Sequence, residues 1–394
     1  MDPQTLDERS DDIEAPGQAS PVRAARGANG SSRRGAVVLV LLFLVGFLGT
    51  ARLGAQLEGP LPFPENHWHR KFGALMERAE RGEVDTVVIG SSHVFRHVDP
   101  EVFDRTLRAA GRPSSTFNLG MPGMTPLELD FVVDRLRDLD PPGVERLFIS
   151  PPRLAMEVEP SPLVTRSVNL HDAERFVRAS ELLMASDLGP WQKLHLTVTH
   201  GVVSLRNIMR VGVGYEALRD RIGGTAQTRE RRGLERTEEL SEVLGPRGDG
   251  YEALVVAGDN KLLMRRAAIW NKSGRREFVR GLRERRENGP PNVVVPRGLG
   301  ALLQRVEARC RAAGWEVVFF THPLITPDDP TEQYVHLWRP PGGSLVLDFS
   351  DPDRYPELFD PDRYFDLRHL NQPGSKRFTA RLAEAYLEAT EAED

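Results

Sequence analysis

The stretch Thr86-Val87-Val88-Ile89-Gly90-Ser91-Ser92-His93 decides the fold. Four β-branched residues in a row, closed by glycine, suit a short strand buried on both faces. Such strands belong to parallel sheets, where helices cover both sides. The chain around it keeps the matching rhythm. Upstream, His67–Glu80 sets Trp68, Phe72, Leu75, Met76 and Ala79 on one helical face. Downstream, Val102, Phe103 and Leu107 predict a helix over Pro100–Ala110, and Thr116–Leu119 reads as a second strand, again ending at glycine. Thr125-Pro126-Leu127-Glu128 combines a capping box with proline at the first helical position and opens a helix to about Asp138. Arg146–Ser150 is a third strand, Leu302–Ala313 is helical, and Trp315–Thr321 is a fourth strand. Strands alternating with helices predict an α/β fold, a three-layer domain on a parallel sheet.

Between about residues 155 and 298 that rhythm is lost. Val198–Ile222 and Asn260–Glu287 read as helical, separated by a stretch rich in glycine and charge near Thr225–Gly250. The segment is expected to be a helical insertion or cap on the core. Its Arg275–Arg286 run reads as a solvated helix face, with contact to an anionic polymer or headgroup as the sharper alternative.

The composition fits such a core. Of 394 residues, 40% are hydrophobic and 28% charged, which excludes a collagen-like, disulfide-scaffold or wholly disordered chain. The net charge of -5 supplies no chain-wide field favouring nucleic acid. A single cysteine, Cys310, excludes an intrachain disulfide and every multi-cysteine metal site.

One local feature predicts a compartment. Gly35–Ala51 (GAVVLVLLFLVGFLGTA) is an uncharged run of about 17 residues, near the lower limit for spanning a bilayer. Continuing through Arg52, which can snorkel, to Ala55 brings it near the usual length. Arg23, Arg26, Arg33 and Arg34 precede the run and only Arg52 follows closely, which predicts a cytoplasmic N-terminus and an extracytoplasmic body. The expected division is a disordered cytoplasmic tail over 1–34, a transmembrane anchor over 35–55 and the α/β domain over 56–394. A cleaved signal peptide and a buried core helix are the competing readings of the run.

The candidate chemistry sits at strand ends, where α/β sheets bind their ligands. Gly90-Ser91-Ser92-His93 is one such end and Asn118-Leu119-Gly120-Met121-Pro122-Gly123 another. Near the C-terminus, Asp366-Leu367-Arg368-His369 precedes a helix beginning near Pro373. A serine on a tight turn exposes its hydroxyl, and an Asp three residues before a His can orient the ring as a base for that serine. A glycine amide just ahead of a capped helix can donate to an oxyanion.

These blocks resemble those of the SGNH/GDSL hydrolase superfamily. Gly90-Ser91-Ser92 matches its Gly-Asp-Ser block, with Ser91 in place of Asp and Ser92 at the nucleophile position. Asn118–Gly123 matches the second block, whose last glycine implies an oxyanion amide at Gly123, with Asn118 a further candidate; His93, next to Ser92, reads as a pocket residue, with the base as the alternative. Asp366-x-x-His369 matches the last block, implying His369 as base and Asp366 as its partner. The resemblance covers about 65–155 and 300–390. It departs at the third block, normally Gly-x-Asn-Asp. Here the corresponding stretch is Ser150-Pro151-Pro152-Arg153, with Arg153 the candidate anion-stabilising replacement.

One N-terminal anchor ahead of such a domain is similar to the accessory O-acyltransferases of exopolysaccharides and cell-wall polymers. That similarity implies a glycan or acyl-ester substrate and a multi-spanning membrane acyltransferase as partner. The alternatives are a non-catalytic polysaccharide-binding or assembly protein that retains the fold, and a plain carbohydrate or lipid esterase. Thr321-His322-Pro323 ends a strand and is either structural or part of the pocket. His171, His195 and His200 lack metal-ligand spacing, no phosphate loop is present, and no cofactor is expected.

Overall fold

A computed structural model describes residues 29–56, 67–151, 165–186, 188–209, 243–256, 260–288, 297–325 and 340–391. The chain divides into two compact units, Met1–Thr50 and Ala51–Asp394. Helix α1 runs unbroken over Asn29–Gln56, so it begins inside the stretch expected to be a tail. Its side chains from Val37 to Val45, and Phe47, are exposed and apolar. Among the described residues no helix is long and apolar enough to cross a membrane. The anchor expected over 35–55 extends past those side chains to Ala55.

The second unit follows the strand–helix rhythm. In chain order come α2 (His67–Glu80), β1 (Thr86–Ile89), α3 (Ser92–His97), α4 (Pro100–Ala109), β2 (Thr116–Asn118), α5 (Pro126–Leu139) and β3 (Arg146–Ile149). The insertion contributes α6 (Thr165–Asn169), α7 (Ala173–Ala185), α8 (Pro190–Met209), α9 (Lys261–Ile269), a π-helical turn (Trp270–Gly274) and α10 (Arg275–Asn288). The core resumes with α11 (Arg297–Ala312), β4 (Glu316–Phe320), β5 (Leu345–Leu347) and α12 (Gln372–Glu391). The capping box at Thr125 forms, with the Thr125 hydroxyl accepting from the Glu128 amide and Glu128 accepting from the Thr125 amide.

The five strands form one parallel sheet in the order β2-β1-β3-β4-β5. Val88 pairs with Asn118 on one side and Phe148 on the other, which brings the carboxyl ends of β1, β2 and β3 level. Successive side chains leave a strand on opposite faces. Val87, Ile89, Leu147, Ile149, Val317 and Phe319 accordingly join one core with residues of α2, α5 and α11. Val88, Phe148, Val318 and Phe320 join a second core with residues of α4 and α12. Helices therefore cover both faces of the sheet.

The order 2-1-3-4-5 reverses direction between β1 and β3, and ligands in open α/β sheets bind at such a reversal. Ser92 follows β1 at that crevice.

The insertion packs into the core. Residues 243–256 return to the sheet edge, where the Asp249 carbonyl accepts the Asn118 amide at 2.8 Å and the Tyr251 hydroxyl meets Ser375 Oγ at 2.6 Å. Arg247 ties this segment to Asp99 and Glu101 at the start of α4. The Arg-rich α10 is largely solvated, as its pattern predicts, with Arg275 and Arg286 paired to Asp362 and Asp353.

Candidate active site

Ser91 caps α3: its backbone is extended and its hydroxyl accepts the His93 amide, so Ser92 becomes the first helical residue. Glycine is required just before it, because a Cβ on Gly90 would lie 2.3 Å from a Val94 methyl and 2.9 Å from the Ser150 carbonyl. The turn therefore packs directly on the end of β3 and fixes where the Ser92 hydroxyl points.

Ser92 Oγ stands 3.0 Å from His369 Nε2. His369 Nδ1 stands 3.1 Å from Asp366 Oδ1. The same carboxylate oxygen accepts the backbone amides of Arg368 and His369, each at 2.8 Å. The Asp-x-x-His spacing works because Asp366 organises its own turn before it meets the ring. Burial would raise the Asp366 carboxyl, but His369, the Arg368 amide and Arg266 overcome it and hold the group well below its usual 3.8. Burial, aided by His93 and Arg266 and opposed by Asp366, pushes the His369 imidazole down from 6.5 to about 4, so it is neutral at pH 7. A base must start neutral to accept a proton.

Arg266, on α9 of the insertion, was not among the residues marked by the sequence. Its Nε donates to Asp366 Oδ2 at 2.9 Å and its Nη2 to the same oxygen. Nη2 also lies 3.0 Å from His369 Nδ1. An arginine in a polar helical stretch reads as solvated, and no local pattern joins it to a residue a hundred positions away.

Asn118 is placed at the site, but its side chain faces inward. Its Nδ2 donates to the Val94 and Val98 carbonyls, each at 2.7 Å, and its Oδ1 accepts the Gly120 amide at 2.9 Å. With these atoms committed and the residue fully buried, Asn118 holds α3 against the second block rather than facing a substrate. Other amides of the block are also committed: Asn118 to Asp249, Leu119 to Val88 and Met121 to Gly90. Gly123 is exposed at φ 68 in the turn before α5. Among the described residues its amide has no acceptor. Arg153 lies outside the described residues.

Lys71 is the second residue that sequence reasoning missed. Fully buried, it donates to the carbonyls of Asn118, Gly120 and Gly250 at 3.0, 2.6 and 2.8 Å. It binds the second block to the returning insertion. A lysine on an amphipathic helix is ordinarily read as a solvent-facing residue.

Four imidazoles gather beside the serine. His93 lies with ring centroids 5.2 Å from both His97 and His369 and 5.3 Å from His322, and its Nδ1 is 3.4 Å from Ser91 Oγ. His93 is therefore a pocket neighbour of the base. His322 is buried among His93, His97, Phe320 and Phe378, and burial holds its pKa well below 6.5. In the insertion, His171 Nε2 and His200 Nδ1 meet at 2.8 Å in the interior, while His195 is exposed. Among the described residues no three His, Cys, Asp or Glu side chains converge as a metal site.

In comparisons with known proteins, no family model and no curated protein matches this sequence.

Proposed function

We propose that this chain is a membrane-anchored serine acyltransferase or esterase of the SGNH/GDSL type, acting on O-acyl groups of extracytoplasmic glycans. The observation that carries the reading is the relay Ser92 Oγ–His369 Nε2–Nδ1–Asp366, with steps of 3.0 and 3.1 Å. Ser92 Oγ attacks the ester carbonyl while its proton passes to Nε2. The bond to the leaving alcohol then breaks as the imidazolium returns that proton to the departing oxygen, leaving acyl-Ser92. A glycan hydroxyl attacks the acyl carbon by the reverse steps and restores Ser92; water does so in the esterase.

The Gly123 amide would stabilise the oxyanion. The third-block Asn has no counterpart, and losing one such donor costs about 2.7–4 kcal/mol. A donor delivered and held by a membrane acyltransferase would offset that by proximity, which favours transfer over free hydrolysis. The apolar run on α1 and its flanking arginines support an anchor that keeps the domain at the outer membrane surface.

A second reading is a non-catalytic glycan-binding or assembly protein that retains the fold. Arg266 Nη2 against His369 Nδ1 favours it, because that contact occupies the nitrogen the base needs for Asp366. The full chain in detergent, given an activated acetyl ester with and without oligosaccharides, separates the readings. Acetylated oligosaccharide is the expected product. Acetate released at an acceptor-independent rate, with no acetylated sugar, selects the esterase. Neither product from folded protein selects the non-catalytic reading.

A further inference from the structure

Among the described residues, Asp366 and Arg266 are polar neighbours of His369 Nδ1 that ask opposite things of it. Asp366 Oδ1, at 3.1 Å, can only accept, so it calls for a proton on Nδ1. Arg266 Nη2, at 3.0 Å, can only donate, so it calls for a lone pair there. One neutral imidazole cannot satisfy both. With the proton on Nδ1, Nε2 presents its lone pair to the Ser92 hydroxyl and can take the proton. With the proton on Nε2, the ring donates to Ser92 Oγ and cannot act as base.

We propose that Arg266 is a positioning residue that gates the base: seated on Nδ1, it holds His369 in the resting tautomer, and withdrawing from Nδ1 releases the working one. The gate rests on the serine-acyl reading above and adds its regulation. Opening requires little motion, since the guanidinium can keep Asp366 Oδ2 while giving up Nδ1. The π-helical turn and α10, which continue the chain from the helix that carries it, are held against the triad loop. Trp270 and Phe278 pack on Tyr364 with centroids 6.2 and 4.3 Å away, and Arg275 pairs with Asp362. The π-helical turn directly after α9 is the kind of local irregularity that recurs at functional sites. Arg266 also lines a cavity of about 320 Å³ with Ile269, Trp270, Leu367 and His369, so a ligand in that cavity contacts the gate directly.

The charged and titratable groups facing His369 are Asp366 on its own turn, Arg266 from α9, His93 and His97 from α3, and His322 after β4. Among the described residues Arg266 is the permanent cation in contact with the ring, and removing it takes that charge away.

The test is nitrogen NMR on histidine-labelled full chain in detergent, with the His369 signals assigned by their loss in His369→Asn. In the native chain the neutral ring should carry its proton on Nε2. In Arg266→Met the proton should move to Nδ1, and the titration midpoint should rise by about one unit, as removal of one adjacent charge produces. Fluorophosphonate capture at Ser92 should accelerate in that variant. Arg266→Lys, which keeps the charge without the fork, should fall between the two and serves if the Met variant does not fold. A proton on Nδ1 in the native chain, or a tautomer unmoved by both substitutions, overturns the gate. The spectra need no turnover. A tautomer shift without any Ser92 capture would therefore uphold the gate while overturning the serine-enzyme reading.

Discussion

The imidazole of His97 accepts the backbone N–H of Leu370 at 2.9 Å, joining α3 to the turn that carries the base. The contact fixes the His97 tautomer with its lone pair on Nε2. Burial pushes the ring well below 6.5, so it stays neutral at working pH. His97→Leu would leave the Leu370 N–H buried without an acceptor, at a cost of about 1–3 kcal/mol. His97→Gln retains an acceptor and should lose less. Thermal denaturation and fluorophosphonate capture measured together check this: capture should fall more steeply in the Leu than in the Gln variant. Equal capture in both would show that the contact does not position His369.

Ser92→Ala should abolish fluorophosphonate labelling, while Ser91→Ala should leave most of it, because the Ser91 hydroxyl caps α3 and faces His93 rather than the base. His369→Ala should remove most turnover, and Asp366→Asn less. Residues that act as a unit are not additive, so the double variant should be scarcely worse than His369→Ala alone. Labelling that persists in Ser92→Ala, read by mass spectrometry, would refute the nucleophile assignment.

What was legible followed from periodicity and short range. The strands over Thr86–Ile89 and Arg146–Ile149 were legible because short apolar runs closed by glycine or serine suit buried strands, and Ser92 followed from its place at a strand end. Asp366 and His369 were legible together because three residues span one turn. Leu345–Leu347 escaped because three residues carry no pattern. Arg266 and Lys71 escaped for a different reason. Their burial comes from chain that returns to the core after long separations, and cationic residues on amphipathic helices resemble solvated ones until the partner carbonyls or carboxylates are located. Asn118 ends β2 as its pattern predicts, yet its side chain's three bonds are ones that only packing reveals.

Acid should destabilise the domain over a defined window. Burial lowers His369, His171 and His200 to about 4 and holds His97 and His322 well below 6.5. Each folded pKa lies below its unfolded value, so the unfolded chain binds more protons between about pH 6.5 and 4. Stability is full above that window and falls as pH descends through it. A ring displaced from 6.5 to about 4 loses on the order of 3 kcal/mol across it. His171 and His200 face each other at 2.8 Å, so charging one ring opposes charging the other. Urea midpoints at pH 7, 6 and 5 should decline, and less steeply in the His171→Phe/His200→Leu double variant. A native midpoint independent of pH would contradict this account.

Asn118 distinguishes a structural from a catalytic reading of the second block. If it serves as the scaffold its three bonds indicate, Asn118→Leu, of similar volume, strands the Val94 and Val98 carbonyls and the Gly120 amide. Each stranded buried group costs about 1–3 kcal/mol, so a loss of several kcal/mol is expected, with α3 loosened and Ser92 misplaced. Asn118→Asp should be worse at pH 7, because its carboxylate faces two carbonyls, and should recover partly in mild acid where the carboxyl protonates and regains a donor. An oxyanion donor behaves differently: its loss slows the chemical step about 10²–10³-fold while leaving stability nearly intact. Denaturation midpoints and acyl-ester turnover measured on the same variants decide between the two. A turnover loss of that size at unchanged stability would return Asn118 to the substrate side of the pocket.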